Sequence, residues 1–179
     1  MHMYFLAIIA PEEINEYVLK WKLYFRDRYK CVAALRSPAH ITLIPPFWMN
    51  IDLENELIET MNSFCKTQIN FEIYLRNFNF FKPRVIFADV TKSDRLFGLH
   101  ENLNLFIAEK KKFPIKSNDQ IFHPHVTLAT RDLTKKAFNE VWAIFANKKY
   151  EHKWNLNSVS LLRHNKKNWD VIYTSQFAN

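Results

Sequence analysis

A single glycine, Gly98, in 179 residues constrains this chain more than any other feature. Rossmann dinucleotide sites, P-loops, kinase phosphate loops and the hydrolase nucleophile elbow each need several glycines at fixed spacing. None of them can be built here. Any phosphate this protein handles must be held by side chains. The rest of the composition is that of a folded domain. Hydrophobic residues make up 48% and aromatics 16%, with sixteen Phe and five Trp, which rules out disordered, collagen-like and low-complexity classes. The length fits one domain over residues 1–179 with a sizeable core.

Cys31 and Cys65 form no CxxC pair, and Cys65 falls in the apolar register of a helix. Two unclustered thiols suit a reducing compartment. Met3 to Ala10 is too short to span a membrane, lacks a basic leader and runs straight into Pro11-Glu12-Glu13, so it reads as a strand. The expectation is a cytoplasmic, monomeric protein with no membrane association. The net charge of +7 suits a polyanion such as RNA, and it suits a solvated Lys-rich surface equally well.

Periodicity gives the organisation. Tyr4 to Ala10 reads as a buried strand, followed by a helix with Ile14, Val18, Trp21 and Phe25 on one face. Ile41 to Phe47 is a second strand, stopped by Pro45-Pro46. Asp52 caps a second helix carrying Leu53, Leu57, Met61 and Phe64 inward, and Phe71, Ile73 and Leu75 alternate as a strand. The pattern then restarts. Val85 to Val90 is a strand, Ser93 caps a helix with Leu96, Leu99, Leu103 and Phe106, and Val126 to Ala129 is a strand. Thr134 opens a helix with Phe138, Val141, Trp142 and Phe145 inward. Trp154 to Leu162 and Trp169 to Phe177 close as two strands around the polar turn Arg163 to Asn168.

The order is thus β-α-β-α-β followed by β-α-β-α-β-β. Shifting the first half by 85 positions lays His40 on His125 and Phe71 on Leu156. This reads as an internal duplication, with halves of about 1–80 and 81–179 forming two lobes of one domain.

Two tetrapeptides occupy matching places in the repeat, His40-Ile41-Thr42-Leu43 and His125-Val126-Thr127-Leu128. In a strand, His and Thr face one way, roughly 6.5–7 Å apart, while the aliphatic pair anchors the other face. One such motif alone reads as structural. Two copies at equivalent positions bring two imidazoles and two hydroxyls to one cleft. That set suits acid–base attack on a phosphodiester: one imidazole takes a proton from the attacking oxygen and the other gives one to the leaving oxygen. The hydroxyls of Thr42 and Thr127 bind the non-bridging oxygens where charge builds. The chemistry needs no metal, no cofactor and no glycine loop. Pseudo-symmetry leaves open which ring is acid and which is base.

The stretches Ser37-Pro38-Ala39-His40-Ile41-Thr42-Leu43 and Phe122-His123-Pro124-His125-Val126-Thr127-Leu128-Ala129 resemble the two signature motifs of the 2H phosphoesterase superfamily. The branch most resembled is that of the 2′-5′ RNA ligases, which are also RNA 2′,3′-cyclic phosphodiesterases. Phe81 to Phe87 resembles the strand opening the family's second half, and Val159 to Leu162 with Tyr173 and Phe177 resembles its closing hairpin. The resemblance implies a bilobal, pseudo-two-fold α+β fold with antiparallel sheets flanking a central cleft. It also implies metal-free phosphodiester chemistry at His40, Thr42, His125 and Thr127. One departure stands at the cleft rim, where Ile44-Pro45-Pro46-Phe47-Trp48 replaces a Phe-Leu-Gly-like turn.

Four further residues are substrate-binding candidates. Arg131, four residues past Thr127, is placed to bind a terminal phosphate, and Phe47, Trp48 and Tyr173 to stack on a base. His123 lies two residues from His125, yet no Cys or carboxylate joins them at ligand spacing, so no metal site is expected. His2, His100, His152 and His164 have no partner motif and read as surface residues. The Lys110-Lys111-Lys112 run suits a helix C-terminus. The expected substrate is RNA or a nucleotide with a 2′,3′-cyclic phosphate. The rival readings are a cyclic phosphodiesterase for a small nucleotide metabolite and a non-catalytic RNA-binding module.

Overall fold

Most apolar runs fold as their period dictates, and the strand–helix order expected from the sequence emerges with one extra strand. The computed structural model describes residues 1–115 and 121–178. Its elements are β1 (His2–Ile9), α1 (Glu12–Tyr29), β2 (His40–Met49), α2 (Glu54–Cys65), β3 (Phe71–Phe81) and β4 (Val85–Val90). They continue as α3 (Asp94–Glu109), β5 (His125–Ala129), α4 (Lys135–Phe145), β6 (Glu151–Leu156), β7 (Ser158–His164) and β8 (Trp169–Gln176). Ser93 and Thr134 cap α3 and α4, their hydroxyls accepting the amides of Leu96 (3.4 Å) and Ala137 (3.2 Å). None of the described helices is long and apolar enough to cross a membrane.

The strands form two antiparallel sheets, ordered β2-β1-β7-β8 and β5-β4-β3-β6. Each sheet draws on both halves of the sequence. β3 of the first half pairs with β4, and β7 of the second half pairs with β1. The helices follow the same exchange. On α1, Trp21 packs edge-on against Phe78 of β3, and on α4, Trp142 meets Phe80 of the same strand. α2 lies on β7 and β8, and α3 reaches β2 and α2. The fold is therefore the expected α+β arrangement, with the two sheet edges β2 and β5 brought together where the lobes meet.

Three local expectations are corrected. The segment Trp154 to Leu162 is two strands, because β6 pairs with β3 and β7 pairs with β1, and those partners belong to different sheets. Asn157 sits between them, and its carbonyl accepts the Phe177 amide at 2.7 Å. Pro45-Pro46 does not stop β2, which runs on to Met49. β2 is an edge strand, and its register shifts between the partners of Tyr4 and Leu6, so the two prolines fall at an irregularity that demands no amide from them. Asp52 caps nothing. It lies in a 3-10 turn, Ile51–Leu53, and accepts the Asn50 side-chain amide at 2.9 Å, while α2 starts at Glu54.

Candidate active site

The motif strands show the alternation their sequences require. Ile41, Leu43, Val126 and Leu128 are buried in the core, while His40, Thr42, His125 and Thr127 are half-buried on the opposite faces. Because β2 and β5 are both edge strands, each presents its His-x-Thr pair where the other lobe approaches. His40, Thr42 and Thr127 line a cleft of about 730 Å³. His125 stands close enough that a charge on it disfavours one on His40.

The two histidines carry the same hydrogen bond. His40 Nδ1 lies 2.8 Å from the carbonyl of Pro38, and His125 Nδ1 lies 2.7 Å from that of His123. A carbonyl only accepts, so Nδ1 is the protonated nitrogen in each neutral ring and Nε2 carries the free lone pair. Each ring also rests on aromatic carbon. Phe5 lies 5.0 Å from His40, and Phe87 and Phe81 lie 4.9 and 5.0 Å from His125, centroid to centroid. Burial is the main cause that pushes the His40 imidazole down to about 4, and the charges of Lys22 and His125 add to it against the opposing Pro38 bond. Burial also lowers His125, while its carbonyl bond and the nearby Asp89 carboxylate pull the other way. Burial thus favours the neutral form of each ring in the ligand-free protein.

Matching sequence profiles place this arrangement in a family. The profile of the 2′-5′ RNA ligase superfamily matches residues 10–168, which include both motifs and nearly the whole chain. The chain belongs to the 2′-5′ RNA ligase superfamily. These 2H phosphoesterases are a family of enzymes. Solved structures agree on the fold of this superfamily member. TT0787 of Thermus thermophilus superposes with a TM-score of 0.73 at 21% identity, covering 100% of this chain and 99% of that one. LigT of E. coli complexed with 3′-AMP gives 0.69 at 18% identity, with 99% of each chain covered. The same enzyme complexed with NADP+ gives 0.66 at 20%, covering 99% of this chain and 98% of that one. No curated protein sequence matches significantly.

Among the substrate-binding candidates, Arg131 lines the cleft just past β5, with its backbone in the left-handed region at φ 52°. Its carbonyl accepts the Arg84 guanidinium at 3.4 Å. Trp48 is 56% exposed and pairs across from Met3, a cleft-lining residue. Phe47 and Tyr173 lie elsewhere. Phe47 is 8% exposed in the core, its ring 6.1 Å from Tyr4. Counting by twos from Ile41 and Leu43 would have placed it there. The Tyr173 hydroxyl engages Asn62 of α2 at 2.8 Å, so it faces away from the cleft. His123 pairs with Asp89 at 3.1 Å, and among the described residues no three His, Cys, Asp or Glu gather as a metal set.

Five cleft residues carry no mark in the sequence. They are Lys22, Arg36, Asp132, His164 and Trp169. His164 is no bystander on the surface: it packs 4.8 Å from Trp169, which in turn meets Phe5 edge-on at 4.6 Å. The Asp132 carboxylate accepts the amides of Val32 and Ala33 at 2.7 and 2.8 Å, capping the 3-10 turn Ala33–Arg36 and holding Arg36 at the cleft.

Proposed function

We propose that this protein is a metal-independent phosphodiesterase acting on RNA-related 2′,3′-cyclic or 2′-5′ phosphodiester bonds by two-histidine acid–base catalysis. The observation that carries the reading is the matched pair of Nδ1–carbonyl bonds, which leaves the Nε2 lone pair of each ring free, His40 lining the cleft and His125 near enough for its charge to act on His40. One neutral Nε2 takes a proton from water as its oxygen bonds to phosphorus. The other ring, protonated, gives its proton to the ribose oxygen whose bond to phosphorus breaks. The substrate's phosphate anion supplies the counter-charge that lets one buried ring hold that proton. Thr42 and Thr127 donate to the non-bridging oxygens, and Arg131 binds a terminal phosphate. Trp169 offers a stacking face for a base, with Trp48 farther along the same face of the sheet.

With a 5′-hydroxyl in place of water, the same two proton transfers expel O3′ and leave a 2′-5′ linkage, which is ligation. The test is hydrolysis of an RNA oligonucleotide ending in a 2′,3′-cyclic phosphate, with EDTA present. Turnover is expected, and His40→Ala and His125→Ala should each reduce it at least a thousandfold, on the order of general acid–base contributions at their upper range. Wild-type turnover that survives both substitutions would reject the mechanism. Turnover only on mononucleotides would assign a small-metabolite substrate, and salt-dependent RNA binding without turnover would assign a binding module.

A further inference from the structure

Lys22 is the buried charge that this mechanism leaves unused. It sits on the buried stripe of α1 with Ile14, Val18 and Phe25, and is only 4% exposed. Its Nζ donates to the carbonyl of Ser37 at 2.9 Å, and no carboxylate among the described residues pairs with it. Burial alone pushes its ammonium down to about 8. An unpaired buried ammonium is costly, so its place calls for a reason.

The reason lies in the peptide between Ser37 and His40. The Pro38 carbonyl holds His40 Nδ1, and the Ala39 amide donates to Asn15 of α1 at 2.8 Å. Asn15 and Lys22 are seven residues apart, two turns along one helix face, so α1 grips the histidine's lead-in peptide at two points. Among the described residues, no such cation holds the lead-in peptide of the second motif. There, Asp89 of β4 pairs across from His125 and touches His123. The cleft around His40 also holds Arg36, Arg131, His164 and Asp132, with one carboxylate oxygen of Asp132 already committed to two backbone amides.

We propose that Lys22 is a positioning residue: its buried ammonium pins the peptide that presents His40 and biases the proton of the histidine pair toward His125. The consequence for catalysis rests on the two-histidine reading above, while the bias itself is a property of the ligand-free protein. A cation beside one ring and an anion beside the other make two rings with identical hydrogen bonds unequal.

The test is an NMR titration of the histidine rings in ligand-free wild type, Lys22→Met and Lys22→Arg. In wild type His125 should titrate at higher pH than His40. Lys22→Met keeps the burial and removes the charge, so the His40 midpoint should rise while His125 stays put, and Lys22→Arg should restore it. A His40 midpoint indifferent to Met would overturn the proposal. Should the Met variant not fold, wild type still decides: the His40 ring signals should carry a second inflection near pH 8, where Lys22 loses its proton, and a flat trace there counts against it. On a cyclic-phosphate substrate, Met should cost about tenfold in kcat/KM at neutral pH and move one limb of the pH–rate profile with His40. A loss equal at every pH would mean that Lys22 serves packing alone. Absence of turnover in wild type would reject the function and leave the ring titrations standing.

Discussion

The two histidine-bearing edges of the molecule share a bond and differ in nearly everything around it. On β2, His40 sits over Phe5 with Lys22 behind its lead-in peptide. On β5, His125 sits between Phe81 and Phe87, opposite Asp89, and its lead-in residue His123 is tied to that carboxylate. Both motifs hold their imidazole by the same Nδ1–carbonyl bond, so the two rings share one orientation relative to their lead-in peptides. The charges around them differ, Lys22 on one side and Asp89 on the other. Under the proposed two-histidine mechanism, that difference in charge would assign unequal roles to two rings held alike.

Acid stability gives the widest separation between the two sides. The folded-state value of His40, about 4, lies below its free value of 6.5. As pH falls, the unfolded chain takes up that proton first, so stability is lost between pH 6.5 and 4 and is fully present above that window. The loss amounts to at most about 3 kcal/mol. His40→Asn should abolish it, which unfolding curves at pH 7 and pH 4 would register as a variant less acid-sensitive than wild type. His125→Asn should gain less, because Asp89 already offsets part of the burial. Equal gains from the two variants would erase the asymmetry.

The threonines probe the half of the site that is expected to stay symmetric. Thr42 pairs across from Ala7 and Thr127 from Phe87, so neither has a charged neighbour across its strand pair. Each hydroxyl that binds a non-bridging oxygen in the transition state is worth about 2 kcal/mol, or roughly thirtyfold in kcat. Thr42→Val and Thr127→Val should each lower kcat by that amount with little change in KM. Steady-state kinetics in which one variant matches wild type would confine phosphate binding to a single strand.

Much of this was readable from the residues themselves, and the reasons for the gaps are physical. The caps at Ser93 and Thr134, the helix stripes and the His-x-Thr alternation are local, and each formed as its period demands. The strand exchange was hidden because pairing partners are chosen in three dimensions. Nothing in the run Trp154 to Leu162 marks Asn157 as a crossing between sheets. Lys22 follows Val18 by four residues in the apolar stripe of α1, but lysine at that register reads as a snorkelling surface side chain until another element covers it. Tyr173 was misplaced because the register of β7 and β8 shifts between Leu161 and Leu162, which changes the face that later residues present.

The smallest expected effect concerns which side of the cleft takes the base. Trp169 lies on the His40 side, edge-on to Phe5 and beside His164, and it lines the cleft. Phe81 is the competing surface on the His125 side, 36% exposed, but its ring already meets both His123 and His125 edge-on. A base that stacks needs an aromatic ring at the cleft, and Trp169 lines it while Phe81 does not. Loss of a stacked aromatic costs about 1–3 kcal/mol, so Trp169→Ala should raise KM for a cyclic-phosphate oligonucleotide about tenfold while kcat changes little. Phe81→Ala should act instead on kcat, by loosening the ring it supports. A KM effect larger at Phe81 than at Trp169 would move the base to the His125 side and reverse the direction in which the substrate crosses the two strands.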